Sequence, residues 1–268
     1  MLPTMLTLGN AVCGMAAIAV LMSGAERWTP DGQMFTAGLL VFGGMLFDML
    51  DGRAARMTGQ SSEFGAQLDS LCDAITFGVA PAVILWQFAA DPYPERVRWV
   101  FGVLFTLCVI IRLARFNVET KEDSSHEEFD GLPSPAAAGT IASFATAVPQ
   151  ISRFIDSSNS PQVQELAKTA LTCSKWGLPI LAVILSYLMI SRFRYPHVFQ
   201  QWFGGHRSLY QVGQLIFGGL CVYLAREVAV PLIFCYFAFE SPVRQLTRGR
   251  VEAIRSMRKR RKISAGGG

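Results

Sequence analysis

Eight stretches of mostly apolar residues, several of them approaching bilayer-spanning length, dominate this chain: Met5 to Leu21, Met34 to Leu50, Leu71 to Ala89, Val97 to Ile111, Pro135 to Val148, Trp176 to Ile190, Leu209 to Tyr223 and Val228 to Phe239. A helix needs roughly 20 such residues to cross about 30 Å of hydrocarbon. Lipid offers no hydrogen bonds to the backbone, so helices that satisfy their own peptide groups are the economical way to bury these runs. The expected fold is therefore all-α, a polytopic membrane protein of about eight transmembrane helices. With 51% apolar and only 16% charged residues, a water-soluble globule and a disordered chain are both excluded. The last two runs make a 31-residue stretch whose only charges are Arg226 and Glu227. One helix of that length would measure about 46 Å, so a hairpin turning at Arg226 is expected instead.

Charge sets the orientation. Nine of the 24 basic residues lie between Arg244 and Lys262; without that tail the chain has 15 basic against 19 acidic residues. A basic segment behind a hydrophobic run holds a membrane protein's end on the cytoplasmic side, and this reading replaces nucleic-acid binding. With eight spans, 17 of the 24 lysines and arginines fall on the side of the termini. Both termini are thus expected in the cytoplasm and the protein in the cell membrane, inner or plasma. Residues 1–243 read as one membrane domain and residues 244–268 as a basic cytoplasmic tail.

Six cysteines stand singly, without C-x-x-C pairs or histidines at ligand spacing, which argues against a disulfide scaffold and a zinc site. His126, His197 and His206 sit in polar or loop-like stretches. The first apolar run lacks a preceding basic region and a convincing lipoprotein cleavage site, so it is expected to be retained as a span.

Ionisable groups at membrane depth are costly and mark function unless they reach water. Four aspartates cluster here. Asp48 and Asp51 end the second apolar run, and Asp69 and Asp73 flank the start of the third. On a helix, Asp48, Asp51, Gly52 and Ala55 share one face, as do Gly65, Asp69 and Asp73, so two facing helices present four carboxylates to one point. Arg53 and Arg56 are the only basic residues between Arg27 and Arg96. Carboxylates crowded in a low dielectric repel unless cations neutralise them, and all-oxygen ligation points to magnesium, manganese or calcium. Gly52 and Gly65 leave room for a bulky ligand to approach, although small residues also serve helix packing.

These residues spell Asp48-x-x-Asp51-Gly52-x-x-Ala55-Arg56, eight residues, Gly65-x-x-x-Asp69-x-x-x-Asp73. The pattern resembles the signature of the CDP-alcohol phosphotransferase family, with every fixed position filled. The resemblance implies a membrane enzyme that moves a phosphoalcohol group from a cytidine-diphosphate donor to an acceptor hydroxyl and releases CMP. Its site would lie between helices 2 and 3 near the cytoplasmic face. By the same resemblance Asp48, Asp51, Asp69 and Asp73 hold two divalent ions, Mg2+ or Mn2+, and Asp73 doubles as the general base. Gly52, Ala55, Arg56, Gly65 and Asn10 would bind CDP and its diphosphate, and the protein would work as a homodimer.

Further stretches are similar to the serine-accepting branch, the phosphatidylserine synthases: Thr7-Leu8-Gly9-Asn10 with Gly14, Ser70 to Pro81, Arg112-Leu113-Ala114-Arg115-Phe116-Asn117, Gly131 to Ala137 and Tyr195-Pro196. Roughly the first two hundred residues carry the resemblance. It implies CDP-diacylglycerol and L-serine as substrates, with the lipid bilayer as surroundings and no nucleic acid. Arg112, Arg115 and Asn117 are the candidate serine-binding residues, since arginine forks suit a carboxylate. The alternatives are another acceptor such as glycerol phosphate or inositol phosphate, a donor with archaeal ether-linked chains, or an ion-coupled transporter with intramembrane acids. The loop from Glu119 to Asp130 holds six acids against Lys121, which disfavours a phosphorylated acceptor.

Overall fold

A computed structural model describes residues 2–23, 28–58, 62–122, 129–157, 160–191, 193–195 and 229–245. Helices α1 (Leu2–Met22) and α2 (Pro30–Thr58) lead into a rod made of α3 (Glu63–Asp73), a π-helical segment (Ala74–Val79) and α4 (Ala80–Phe88). Helix α5 (Glu95–Glu122), strand β1 (Phe129–Asp130), helices α6 (Ser134–Ser157) and α7 (Pro161–Ile190), and strand β2 (Arg194–Tyr195) follow. Residues 229–245 are helical and are called α8. Among the described residues five helices are long and apolar enough to cross a membrane: Pro3–Met22, Pro30–Ala54, Glu63–Phe88, Glu95–Val118 and Pro161–Ile190. The chain is thus helical and suited to pass a membrane several times. The expected seventh span, the turn at Arg226, the basic tail beyond residue 245 and all three histidines lie outside the described residues.

Helix starts follow local chemistry. Thr29 accepts from the Gly32 N–H, and Pro30, which has no N–H to lose, opens α2. Ser62, in extended backbone geometry, caps α3 by accepting from the Gly65 N–H at 3.0 Å. Four residues, 59–62, separate α2 from α3. The polar stretch that follows Asp51 is therefore mostly helix: Asp48 and Asp51 stand inside α2, while Asp69 and Asp73 lie in the closing turns of α3, where the rod continues without a break. Past Asp73 the helix widens into its π segment before Pro81 restarts α4 at one of its first two positions.

Helix α6 sits at the centre. It packs against α2 and α7, and Ala137, Ala138, Ile141, Ala142 and Ala145 are fully buried. The expected span from Pro135 to Val148 lies within this 24-residue helix, which is not one of the five apolar enough to cross by composition. Its alanines, serines and threonines let neighbouring helices come close, so it meets protein more than lipid. Helix α1 packs against α2 and also against α3 and the π segment, whereas α2 and α3 scarcely meet. The aspartates of α2 and α3 thus face each other beside α1. A two-residue ladder, Phe129 with Tyr195 and Asp130 with Arg194, ties the start of α6 to the end of α7. Gly131, at φ 89°, makes the turn, where a side chain would strike the Met189 carbonyl.

Candidate metal and phosphoryl-transfer site

Three of the four aspartates come together. One carboxylate oxygen from each of Asp48, Asp51 and Asp69 lies within 4.8 Å of the others. Asp51 is 6% exposed, and its Oδ2, like Oδ1 of Asp69, is buried without a hydrogen-bond partner. A buried carboxylate oxygen with nothing to accept from is expensive. A hard divalent cation removes that cost, and a set of carboxylate oxygens without histidine or thiolate suits Mg2+, Mn2+ or Ca2+. The donor set therefore fits a divalent metal.

Asp73 stands one helical turn beyond Asp69 and is 7% exposed. Its Oδ1 accepts from Nδ2 of Asn10 at 2.8 Å, a bond between helices α3 and α1. It lies within electrostatic range of Asp48, Asp69 and Asp51, and also of Arg112 on α5. The four acids share one region, with three at its centre and the fourth held from the side by Asn10.

The candidate diphosphate residues divide. A Cβ on Gly52 would meet nothing within 4 Å, so the backbone there borders open space. Gly65 lies in the first turn of α3, and a Cβ there would approach only the Ser62 hydroxyl, at 3.1 Å. Ala55 and Arg56 belong to α2, but their side chains lie outside the described set. Asn10 is turned towards Asp73, with its own Oδ1 buried and unpartnered.

The candidate serine residues are all engaged with protein groups. Arg112 donates from Nη1 to Ser134 Oγ at 3.0 Å, while its Nε is buried without a partner. Arg115 donates to the Ile190 carbonyl, at 3.4 Å, near the end of α7. Asn117 exchanges hydrogen bonds with Ser70, Nδ2 to Oγ at 2.9 Å and Oγ to Oδ1 at 3.2 Å. Of the three, Arg112 lies within electrostatic range of Asp73.

Three side chains acquire roles that residue type and spacing alone did not assign. Thr76, fully buried, donates to the Asn10 carbonyl at 2.8 Å. Ser134 accepts from Arg112, and Ser70 pairs with Asn117. Each lies in a stretch that carries the family resemblance, but an uncharged hydroxyl gives no sequence signal of its partner when that partner sits on another helix.

The chain is similar to known proteins over most of its length. The family model described as CDP-alcohol phosphatidyltransferase matches residues 1–188, the part that contains all four aspartates. An archaetidylserine synthase of Methanothermobacter thermautotrophicus is 35% identical over 199 residues, covering 74% of this chain and 70% of its own. A CDP-diacylglycerol--serine O-phosphatidyltransferase of Bacillus subtilis is 30% identical over 196 residues, covering 73% and 90%. The protein of that name from Mycobacterium tuberculosis is 36% identical over 141 residues, covering 51% of this chain and 46% of its own. With the signature complete, its acids gathered between two helices and the match extending over more than half of its length, the chain belongs to the CDP-alcohol phosphatidyltransferase family.

Proposed function

We infer that the protein transfers a phosphatidyl group from CDP-diacylglycerol to the hydroxyl of L-serine, giving phosphatidylserine and CMP. The observation that carries this is the group of Asp48, Asp51 and Asp69 within 4.8 Å, with Asp73 adjoining, in a chain whose relatives bear the names given above. The family is generally dependent on divalent metal, and the three-aspartate cluster is where this chain would hold it. In this reading Asp48, Asp51, Asp69 and Asp73 hold two ions, Mg2+ or Mn2+, whose bound charge neutralises the diphosphate and the departing phosphate oxygen.

The chain's own residues supply the rest. Gly52, Ala55 and Gly65 leave space for the nucleotide and Arg56 is assigned to the diphosphate, whereas Asn10, buried and turned to Asp73, is left to hold that carboxylate. Arg112 receives the serine carboxylate, supported by its unpartnered Nε and by lying within electrostatic range of Asp73. Arg115 and Asn117 complete that subsite. Asp73 takes the hydroxyl proton as the serine oxygen bonds to the phosphorus bearing diacylglycerol. The bond from that phosphorus to the bridging oxygen breaks, and the oxygen leaves with CMP.

The wider reading keeps eight spans, a single membrane domain over residues 1–243, a basic cytoplasmic tail, a cytoplasmic site in the cell membrane, and a homodimer. Purified protein given CDP-diacylglycerol, Mg2+ or Mn2+ and a panel of alcohols should release CMP with serine. Release only with glycerol phosphate or inositol phosphate would reassign the acceptor, and none with any alcohol would remove the reading. The name of the archaeal relative gives a reason to include an ether-linked CDP donor in the same assay.

A further inference from the structure

We propose that Thr76 and Asn10 form a positioning clamp for Asp73, in which Thr76 acts through Asn10 and touches no substrate. The proposal rests on the function inferred above. Asn10 is gripped at two points by the rod that carries Asp73: its side-chain amide donates to Asp73 Oδ1 at 2.8 Å, and its backbone carbonyl accepts from Thr76 Oγ1 at 2.8 Å. Asn10 and Thr76 are both fully buried and Asp73 nearly so. Packing of α1 on its neighbours sets its place only coarsely, and a single bond to Asp73 would leave the amide room for small displacements. A second bond three residues further along the rod fixes the register of α1 and with it the direction of the amide.

The surroundings are shaped for this contact. In an α-helix the carbonyl of residue 10 already receives the N–H of residue 14, so another donor must reach past residue 14. That residue is Gly14, and a Cβ there would lie 2.5 Å from Thr76 Oγ1 and 2.7 Å from Thr76 Cα. On the opposite side stands Gly44 of α2, where a Cβ would overlap Thr76 Cγ2 and come within 2.9 Å of Asn10 Oδ1. Two helices thus each present a glycine to one threonine. Thr76 also lies in the π segment, a widened turn that recurs at functional sites. Holding Oδ1 holds the whole carboxylate, and misplacing a reacting group by about 1 Å can cost on the order of 100-fold in rate.

The test separates positioning from packing. Thr76→Val keeps the shape and loses the hydroxyl; Thr76→Ser keeps the hydroxyl. With CDP-diacylglycerol and serine at saturating metal, Thr76→Val should lower kcat by about tenfold and leave both KM values within about twofold, the pattern of a lost transition-state contact. Thr76→Ser should stay within about threefold of the unaltered protein, because the bond to the Asn10 carbonyl survives. Asn10→Ala should lose more than Thr76→Val, and adding Thr76→Val to it should cost no more than about twofold, since residues acting through one contact are not additive. Multiplied losses in the double variant, unchanged kcat in Thr76→Val, or a fall in Thr76→Ser equal to that in Thr76→Val would each overturn the clamp. A rise in donor KM matching the loss in kcat would overturn it too, by making Asn10 a substrate contact. If Asn10→Ala fails to fold, the valine and serine variants decide the matter alone. An unaltered protein that releases no CMP overturns the underlying function and the clamp with it, whereas normal turnover with an insensitive Thr76 overturns the clamp only.

Discussion

Arg112 of α5 donates to the hydroxyl of Ser134 at the start of α6, at 3.0 Å, with its Nε unspent and Asp73 within electrostatic range. A guanidinium held in this way is a ready partner for a carboxylate. Arg112→Ala should raise the serine KM by about 10- to 100-fold, the range of a charge-assisted hydrogen bond of about 1.5–3 kcal/mol, with a smaller change for the lipid donor. Arg115→Ala, which removes a contact to the Ile190 carbonyl, should change the serine KM less. Initial rates with each substrate varied in turn give the comparison; equal rises for both substrates would take Arg112 out of serine selection.

Asp73→Asn keeps the size of the side chain and removes its capacity to take a proton. It should lower kcat by about 100- to 10,000-fold, the contribution of a general base, while yield and detergent melting temperature stay close to those of the unaltered protein. CMP release and a thermal melt on the same preparation check it. Near-normal turnover would exclude Asp73 as the base.

Asp51 and Asp69 each bury an oxygen that no protein group satisfies. Chelation should therefore abolish CMP release, and Mg2+ or Mn2+ should restore it. Asp48→Asn, Asp51→Asn and Asp69→Asn should each raise the metal concentration needed for half-maximal rate, because each removes a charged ligand from the set. Metal titrations read this directly; an unchanged metal requirement in all three variants would mean that the cluster is not the ion site.

Gly44 and Gly52 lie on the same helix in opposite surroundings. Gly44→Ala drives a methyl into Thr76 and should destabilise by about 1–3 kcal/mol, the usual cost of overpacking. Gly52→Ala meets no protein atom and should be neutral or stabilising by about 0.5–1 kcal/mol, since alanine favours the helix. The same substitution should raise the donor KM if the nucleotide lies against that backbone. A melting curve and donor kinetics for the two variants separate the effects, and an unchanged donor KM in Gly52→Ala would place the nucleotide elsewhere.

The sequence by itself determined the helical membrane class, because long apolar runs leave the backbone few ways to satisfy itself. It also singled out the acids as the candidate centre, since four aspartates at helical spacing are conspicuous where charge is scarce. The family followed from the same residues. Apolar runs were poorer guides to helix limits: α2 continues to Thr58 and α3 begins at Glu63, because a helix can leave the hydrocarbon and remain a helix in polar surroundings. Composition also concealed the part played by α6, whose small side chains pack against protein and so need not be as apolar as a lipid-facing span. Only the tertiary structure decided that Asp48, Asp51 and Asp69 converge while Asp73 is held by Asn10, and that Thr76 reaches across to α1 past Gly14. The physical reason is that periodicity places residues on a face of their own helix, whereas the partner across the gap depends on how closely two helices approach, and here glycines set that distance.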